Sequence, residues 1–343
     1  MSRKVLIIGP NYFNFLNAVS GAFRELGWET TIDGYDNPVH PYGALMKIRY
    51  KLSRHREKLL ERSRDRYSED VMGRFRAEQP DLVFIMNGDM LRPYVLDAFR
   101  ESAKVALWMF DNAHKLPSAV GHVDHVDTLF CFDQADVEWY AAHGKKARFL
   151  PQACDTTVYH PLECERDIDI LFIGGMYYSP RRKKILNTVI DAFPGRRIEM
   201  YGWYHPWFKG LWGWITRPHK SIFKNHSVSP SEANALYNRA RVALNVHQEH
   251  QRNGANPRVF EICGAGAYQI CDRNSYIESL FPDGDVGLYD SEEELIALIT
   301  KALSSDMSAA AARAHEEVVA HHSFRARMTE VLSVLEAVNP DCD

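Results

Sequence analysis

The sequence predicts an α/β protein made of two doubly wound domains in tandem. Short, almost continuously apolar runs alternate with helical patterns along the whole chain, as is typical of parallel sheets whose strands are buried on both faces. This strand-first pattern starts again near the middle of the 343 residues, after a charged stretch with two prolines between 151 and 167. A chain of this length also favours two domains over one.

Four strands and a helix are predicted in the first half. The strands are the apolar runs 5–8, 82–86, 105–108 and 129–132. Residues 15–26, which follow the first of these runs, have apolar side chains at helical spacing. We assign residues 1–160 to an N-terminal Rossmann-like domain.

The second half repeats the pattern. Its predicted strands are 168–173, 198–202, 242–246 and 268–271. Helices are predicted from Pro180 and from Pro257, and a long helical pattern covers 307–338. We assign residues 161–325 to a second Rossmann-like domain, and 326–343 to a C-terminal helix and tail that can cross back to the first domain.

Composition and charge argue against several classes of protein. Apolar residues make up 45% and charged residues 25%, and the net charge of −4 gives no case for nucleic-acid binding. Six cysteines without a C-x-x-C pair indicate reduced cytosolic thiols. The short apolar run near the N-terminus does not fit a signal peptide, and no run approaches the roughly 20 residues of a membrane span. We expect a cytoplasmic protein.

Two insertions interrupt the pattern, and each has more than one interpretation. Residues 44–78 read as one or two helices rich in Lys and Arg, especially within 44–66. They form a solvated surface, or they bind an anionic acceptor or the inner face of the cell membrane. Residues 203–226 contain four of the seven tryptophans beside basic residues. This composition suits a membrane interface, a sugar-stacking loop or packing against the neighbouring domain.

A helix start that can bind an anion is the most informative feature. A buried strand ends near Asn245, at the edge where open α/β sheets bind ligands. After a polar loop, Asn256 and Pro257 form an N-cap and a first helical position. Arg258 lies in the first turn, and Glu261 follows on the same helix face. Free backbone amides, a cation and a carboxylate in this order can bind a nucleoside diphosphate together with its ribose.

A second anion site is predicted where an earlier strand ends at Gly174. The next helix opens with Ser179 as its cap and with Arg181 and Arg182 in its first turn. Cations at a helix start oppose the helix dipole. An anion shared by the helix end and these arginines would resolve the conflict, and a solvated basic turn is the alternative.

Several familiar motifs are incomplete or missing. The run from His247 to His250 is one residue short of an H-x-x-E-H metal motif, so a zinc site is not expected. Neither a dinucleotide-binding G-x-G-x-x-G nor a P-loop occurs, which disfavours an oxidoreductase or a P-loop enzyme.

A series of motifs in the second half occurs in the order of a known family. The motifs are Phe172-x-Gly174, Arg181-Arg182, Asn245, Asn256-x-Arg258-x-Phe260-Glu261, Gly266, Asp272, Phe281-x-x-Gly284 and Tyr289-x-Ser291-x-Glu293-Glu294-Leu295. They resemble the C-terminal domain of GT-B glycosyltransferases, in particular the CgeB-like group of spore-maturation proteins. The resemblance covers roughly residues 165–305, and the first half resembles the family only in its α/β pattern.

The resemblance implies the GT-B fold, in which two Rossmann-like domains face each other across a cleft. It implies that the C-terminal domain binds a nucleotide-sugar donor and that the N-terminal domain binds the acceptor. Neither a catalytic metal nor another cofactor is expected.

The resemblance also implies roles for individual donor-side residues. Glu261 is expected to bind the ribose hydroxyls, and Arg258 is expected to neutralise the leaving diphosphate together with Arg181 or Arg182. The other donor-side candidates are Gly174, His247 and Asn256. For the histidine, a loop position without a role is an equal alternative.

The stereochemistry and the catalytic base are less well defined. Common retaining relatives carry a second Glu before the ribose-binding one, but this chain has Asn253 eight positions before Glu261. Inversion is therefore slightly favoured, and it needs a base for the acceptor hydroxyl. The candidate bases after first-half strands are Asp111, Asp89 and His114, with Asn11 and Tyr12 on the acceptor side.

We therefore predict a metal-independent glycosyltransferase that moves a sugar from a nucleotide sugar to a glycan or a lipid-linked saccharide. The alternative is a non-catalytic nucleotide-sugar-binding subunit with the same fold. Donor hydrolysis or transfer by the purified protein distinguishes the two.

Overall fold

The computed structural model describes residues 2–12, 14–35, 53–177, 179–204, 219, 221–249 and 251–337. The chain divides into two compact units, Met1–Pro151 with Phe324–Asp343 and Gln152–Ser323. The sequence placed this division at 160/161 and began the C-terminal segment at 326. Each unit is an α/β structure with its own sheet.

The first unit contains a six-stranded parallel sheet in the order β2-β1-β3-β4-β5-β6. Its strands are β1 Lys4–Pro10, β2 Glu29–Tyr35, β3 Leu82–Met86, β4 Lys104–Met109, β5 Thr128–Cys131 and β6 Arg148–Phe149. All four predicted strands are present, and β2 and β6 are additional. The central strands β3 and β5 are buried along their full length, which explains their continuous apolar sequence.

Helices and short 3₁₀ turns connect these strands. They are α1 Phe15–Glu25, α2 Arg56–Glu78, α3 Pro93–Arg100, the 3₁₀ turns Ala113–Lys115 and Val120–Asp124, and α4 Gln134–Ala142. The first predicted helix agrees with α1. Of the basic insertion, residues 44–52 lie outside the described part of the chain, and most of the remainder forms α2.

The second unit contains a five-stranded parallel sheet in the order β11-β10-β9-β7-β8. Its strands are β7 Ile168–Ile173, β8 Ile198–Tyr201, β9 Ala240–Asn245, β10 Gln269–Asp272 and β11 Gly287–Tyr289. Its helices are α5 Pro180–Ala192, α6 Pro230–Arg239, α7 Pro257–Gly264, α8 Ser275–Leu280, α9 Glu292–Ser304 and α10 Ser308–His321. Of the Trp-rich insertion, residues 205–218 and 220 lie outside the described part.

The C-terminal helical pattern is two helices rather than one. After α10 the chain breaks at His322 and Ser323, and α11 covers Phe324–Ala337. The helix α11 belongs to the first unit, where Phe324 packs beside Phe15 and the Arg327 Nε donates a 2.9 Å hydrogen bond to the carbonyl of Pro151. The sequence-based expectation that the last helix returns to the first domain agrees with this assignment.

No single helix in the described part of the chain is long and apolar enough to cross a bilayer. The helices α9 and α10, bent by 108°, meet the length and composition criteria only when they are taken together.

Both sheets have the same kind of topological switch point. In the first sheet the strand order reverses between β1 and β3, and in the second it reverses between β7 and β9. Open α/β sheets bind ligands outside the carboxyl ends of the strands at such a point. The predicted site residues are therefore best examined at these two edges.

Candidate functional site

The carboxyl edge of the second sheet carries the candidate donor site. Gly174 directly follows β7, and Val246 and His247 directly follow β9, so these residues lie at the β7/β9 switch point. The loop after β9 leads to α7, whose N-cap is Asn256. The predicted donor-side residues thus fall on neighbouring strand ends and on the helix starts beside them.

The start of α7 has no side-chain cap. Asn256 occupies the N-cap position, as predicted, but its side chain exchanges two 3.0 Å hydrogen bonds with the side chain of Asn245. Asn245 also donates to Gln269 at 3.1 Å, and all three side chains are buried. Because Asn256 bonds away from the helix, the first-turn amides keep the partial positive charge that attracts anions.

Arg258 supplies a cation at this helix start. Its side chain is partly exposed, and it forms no hydrogen bond or ion pair with another described residue. Its Nε lies 3.5 Å from the position that a Cβ on Gly174 would take. A glycine at 174 therefore leaves room between the strand end and the guanidinium.

Glu261 lies one turn further along α7. Burial raises the pKa of its carboxyl to about 7, against the lowering effects of Arg258 and of a hydrogen bond from Tyr159. No ion pair within 4.0 Å joins Arg258 to Glu261 in the described structure, so the cation and the carboxylate can contact different parts of one ligand. Glu261 as a whole residue is partly exposed, although the surroundings of its carboxyl are buried enough to raise the pKa.

Arg182 is buried, unlike Arg258. It is 1% exposed, and its guanidinium donates to the carbonyl of Val246 at 2.8 Å and to that of Gly175 at 2.9 Å. Burial lowers its pKa, and the nearby charge of Arg258 lowers it further. Arg182 thus ties the ends of β7 and β9 together and places a positive charge beneath the edge.

Arg181 is also engaged by the protein. Its Nη1 donates to the carbonyl of His247 at 3.1 Å and to the Oδ2 of Asp272 at 3.0 Å. The two arginines at the start of α5 therefore have protein oxygens as partners. Cations at the start of a helix are repelled by the positive end of its dipole, and the sequence predicted either a bound anion or a solvated turn there. In the structure, protein oxygens offset this repulsion.

The buried His247 and the partly buried Asp272 form a pair at the ends of β9 and β10. Both the backbone N–H and the Nδ1 of His247 lie 2.8 Å from the Oδ1 of Asp272. Burial alone would raise the pKa of Asp272, but the bonds from His247 hold it well below its usual range. The sequence analysis did not assign a role to Asp272, although its position directly at a strand end could have marked it.

The carboxyl edge of the first sheet carries the candidate bases. Asp89 follows β3, Asp111 follows β4, and His114 lies in the 3₁₀ turn Ala113–Lys115. Asn11 and Tyr12 follow β1, the other strand at the switch point, and Tyr12 is 44% exposed. The five predicted acceptor-side residues therefore share this edge.

Asp89 is held in place by several hydrogen bonds. The hydroxyl of Tyr35 donates to its carboxylate, and its carbonyl accepts from the Nε of Arg64 at 2.9 Å and from the hydroxyl of Ser118 at 3.1 Å. Because the backbone is held by two of these bonds and the carboxylate by the third, Asp89 has less freedom to follow a substrate. Asp89 is therefore better suited to organising the edge than to accepting a proton.

Asp111 has a more open carboxylate. Its side chain is 49% exposed, and the Nζ of Lys115 lies 3.6 Å from it. Partial burial raises the pKa of Asp111, Lys115 opposes this effect, and the charge of Asp89 adds to it. A carboxyl whose pKa is raised and which can reach solvent is suited to act as a general base.

Asp136, which the sequence analysis missed, fixes the loop after Asp111. Its Oδ2 accepts from the Nδ2 of Asn112 at 3.1 Å and from the backbone N–H of Ala113 at 3.0 Å. The charge of His114 is near enough to lower the pKa of both Asp111 and Asp136. Because Asp136 lies inside α4, only the folded structure brings it to this edge.

Comparisons with known proteins agree with this fold. Residues 181–333 match a family model described as glycosyl transferase-like. No curated protein sequence matches the chain. This part of the chain is therefore similar to a glycosyl transferase-like family, which supports a glycosyltransferase.

Solved structures show the fold in more detail. Sucrose-phosphate synthase from Thermosynechococcus elongatus is 12% identical with a TM-score of 0.67, covering 98% of this chain and 100% of that one. A UDP-forming trehalose-phosphate synthase from Burkholderia xenovorans is 12% identical with a TM-score of 0.65, covering 98% and 99%. HepE from Anabaena, in complex with UDP and glucose, is 11% identical with a TM-score of 0.61, covering 97% and 100%. The predicted GT-B fold class is confirmed.

Proposed function

We propose that this protein is a glycosyltransferase that binds a nucleotide sugar at the carboxyl edge of its second sheet. It transfers the sugar to a glycan or a lipid-linked saccharide held by the first unit. The motif run from Asn245 to Leu295 further suggests kinship with the CgeB-like group. The presence of UDP and glucose in the HepE structure supports a nucleotide sugar as the donor class.

One observation carries the proposal. Arg258 is a partly exposed cation without a bonded partner in the described structure, and it lies between Gly174 and an uncapped helix start. The positive end of the α7 dipole and an arginine together are suited to the charge of a diphosphate. The carboxylate of Glu261, one turn away, is placed to accept hydrogen bonds from ribose hydroxyls.

The proposed chemistry is a single displacement at the anomeric carbon. The bond from that carbon to the diphosphate oxygen breaks as the bond to the acceptor oxygen forms, and the anomeric configuration inverts. Arg258, the α7 amides and the buried charge of Arg182 stabilise the leaving diphosphate, and Asp111 takes the proton of the acceptor hydroxyl. Asn253, found where retaining relatives carry a second Glu, has no part in this chemistry. Its side-chain oxygen accepts hydrogen bonds from Ser275 and from the backbone N–H of Tyr276 instead.

The direct test is turnover by the purified protein. The protein is incubated with UDP-, ADP-, GDP-, CDP- and dTDP-sugars, with and without a glycan mixture, and the released nucleoside diphosphate is measured. We expect release with one class of donor and a faster rate with an acceptor. Binding of a nucleotide sugar without any release would identify the non-catalytic subunit instead, and no binding at all would overturn the proposal.

We also propose that transfer does not depend on a metal ion, since Arg258 and the α7 amides can balance the diphosphate charge. The same assay with EDTA tests this part separately. An unchanged rate is expected, and loss of activity that Mg²⁺ or Mn²⁺ restores would contradict it.

We propose further that the basic part of α2 contacts the inner face of the cell membrane, where a lipid-linked acceptor is found. Lys58 and Arg62 are four residues apart and exposed on this helix, whereas Arg64 and Arg74 pair with Glu61 and Asp33 within the protein. Co-sedimentation with phosphatidylglycerol vesicles, compared with phosphatidylcholine vesicles, tests the contact. The double variant Lys58→Glu, Arg62→Glu should lose binding to the anionic vesicles; unchanged binding would contradict it.

A further inference from the structure

We propose that His247 is a positioning residue of the donor site, which Asp272 orients so that its imidazole fixes the start of α7. The inference rests on the proposed function, because it concerns the helix start that binds the diphosphate. In this proposal His247 and Asp272 lie beneath the bound diphosphate and do not contact it.

Asp272 determines the orientation of the imidazole. Its Oδ1 accepts from the backbone N–H and from the Nδ1 of His247, both at 2.8 Å. Its Oδ2 is held by Arg181 at 3.0 Å, and Arg181 also bonds the carbonyl of His247. His247 is therefore held at its N–H, its Nδ1 and its carbonyl, which fixes the ring at the end of β9. The proton then lies on Nδ1 and the lone pair on Nε2.

The Nε2 of His247 points to the N-cap of α7. The backbone N–H of Asn256 donates to it over 3.4 Å. The side chain of Asn256 is fixed separately through its two bonds to Asn245. The N-cap is thus supported at both its backbone and its side chain, and the backbone support depends on the histidine.

Burial argues against a direct role of His247 in binding the donor. The residue is 3% exposed, and each ring nitrogen already has a protein partner. At 3.4 Å the hydrogen bond from the Asn256 N–H to His247 is longer than an ordinary hydrogen bond. A substitution of His247 should therefore break this bond before it breaks the others. A small shift of this N-cap displaces the amides and Arg258 together, since all belong to the first turn.

The experiment compares three variants for nucleoside diphosphate affinity and for thermal stability. His247→Asn keeps a donor near Asp272 but has no atom at the Nε2 position, whereas His247→Gln can place its side-chain oxygen near the Asn256 amide. His315→Ala is the matched control, because His315 bonds the carbonyl of Gly264 at 2.9 Å, at the other end of the same helix.

Affinities for UDP, ADP, GDP, CDP and dTDP are measured by calorimetry, and the tightest ligand is then used for every variant. We expect His247→Asn to weaken binding about tenfold to 100-fold, by analogy with the loss seen when a group that orients a metal ligand is removed. His247→Gln should recover most of the affinity. His315→Ala should lower the melting temperature at least as much as His247→Asn does, with unchanged affinity.

The outcomes separate this inference from the proposed function. Wild-type affinity in His247→Asn, alongside weakened binding in Arg258→Met, would overturn the positioning role and leave the donor site intact. Equal loss of affinity in His315→Ala and His247→Asn would overturn it as well, because the effect would then follow general stability. If none of the five diphosphates binds the wild-type protein, the proposed function fails and the positioning role with it.

Discussion

The carboxyl edges of the two sheets have the same kind of switch point and different sets of charged side chains. At the β1/β3 edge the polar groups are carboxylates, namely Asp89, Asp111 and the nearby Asp136. At the β7/β9 edge the cations are the partly exposed Arg258 and the buried Arg182, and the carboxylates of Glu261 and Asp272 lie nearby. The same kind of switch point occurs twice, and in the proposed function the side chains give the first edge a proton acceptor and the second an anion site.

The two edges also differ in how their functional groups are supported. In the first unit the most open group, Asp111, follows a strand directly, and Asp136 fixes the loop behind it. In the second unit the candidate diphosphate-binding groups lie on the first turn of α7, which is supported through Asn256 by Asn245 and His247 at the end of β9. A change at one edge should therefore leave the other functional.

Asp111→Asn should have the largest effect on turnover. Loss of a general base typically lowers kcat by about 10²- to 10⁴-fold, whereas nucleoside diphosphate affinity should stay at the wild-type value. Steady-state kinetics and calorimetry measure the two quantities. The control is Asp124→Asn, an exposed carboxylate of the same unit that pairs with Lys145 at 2.6 Å.

The pH profile adds a second check on Asp111. Its pKa is raised, so the base becomes protonated at a higher pH than an ordinary aspartate, and activity should fall as pH falls through that raised value. This acidic limb should be absent from the residual activity of Asp111→Asn. A wild-type kcat in the variant would exclude Asp111 as the base.

Arg258→Met should lower kcat/KM by about 10²- to 10³-fold, because an electrostatic partner of the leaving group is removed. Nucleoside diphosphate binding should weaken in parallel, in contrast to Asp111→Asn. Arg196→Met is the matched control, since Arg196 is an exposed arginine of the same unit at 3.7 Å from Asp169. Similar losses in both arginine variants would show that the effect is not specific to the site.

Gly202→Ala should destabilise the second unit by about 2–4 kcal/mol. Gly202 has φ +123°, and a Cβ there would overlap the carbonyl of Gly174. Gly195→Ala is the control: it shares the positive φ, at +82°, but a Cβ would meet nothing within 4 Å, so only about 1–2 kcal/mol is expected. Chemical denaturation measures both, and equal losses would show that the contact with Gly174 is unimportant.

Glu261→Gln should give the smallest effect, and its sign depends on pH. The folded-state pKa of Glu261 is raised to about 7, so the wild-type protein loses stability relative to the variant as pH rises from the pKa of an unfolded glutamate to about 7, and the difference levels off above that. Below the pKa of an unfolded glutamate the two should be alike, whereas at pH 8 the variant should be more stable by about 1–3 kcal/mol.

Ligand binding should show the opposite trend for Glu261. If the carboxylate accepts hydrogen bonds from the ribose, wild-type affinity for the diphosphate rises by up to about tenfold as pH rises from 6 to 8. Affinity in Glu261→Gln should change less over this interval. Parallel pH dependence in the two proteins would remove Glu261 from the ribose site.

The buried central strands could be predicted from the sequence because their apolar runs are continuous. The strand β2 was missed because it lies at the sheet edge, is only partly buried, and therefore contains polar residues between 29 and 34. The strands β6 and β11 have two and three residues, which is too short for a periodic signal. The break between α10 and α11 was missed because helical periodicity continues on both sides of it.

The candidate site was only partly predictable for a different reason. Strand ends and helix starts have sequence signals, so the positions of Asn256, Arg258 and Asp111 could be inferred. Which guanidinium is buried depends on where backbone carbonyls converge, and no local pattern shows that Arg182 bonds Val246 and Gly175. The partnership of His247 with Asp272 likewise joins residues 25 positions apart.

Amide hydrogen exchange with and without a nucleoside diphosphate tests the central claim most directly. The ligand should slow exchange in the first turn of α7 and in the loop after β7. Exchange should stay unchanged along the β1/β3 edge of the first unit, and the protection should disappear in Arg258→Met. Protection at the β1/β3 edge, with none at the start of α7, would contradict the proposed donor site.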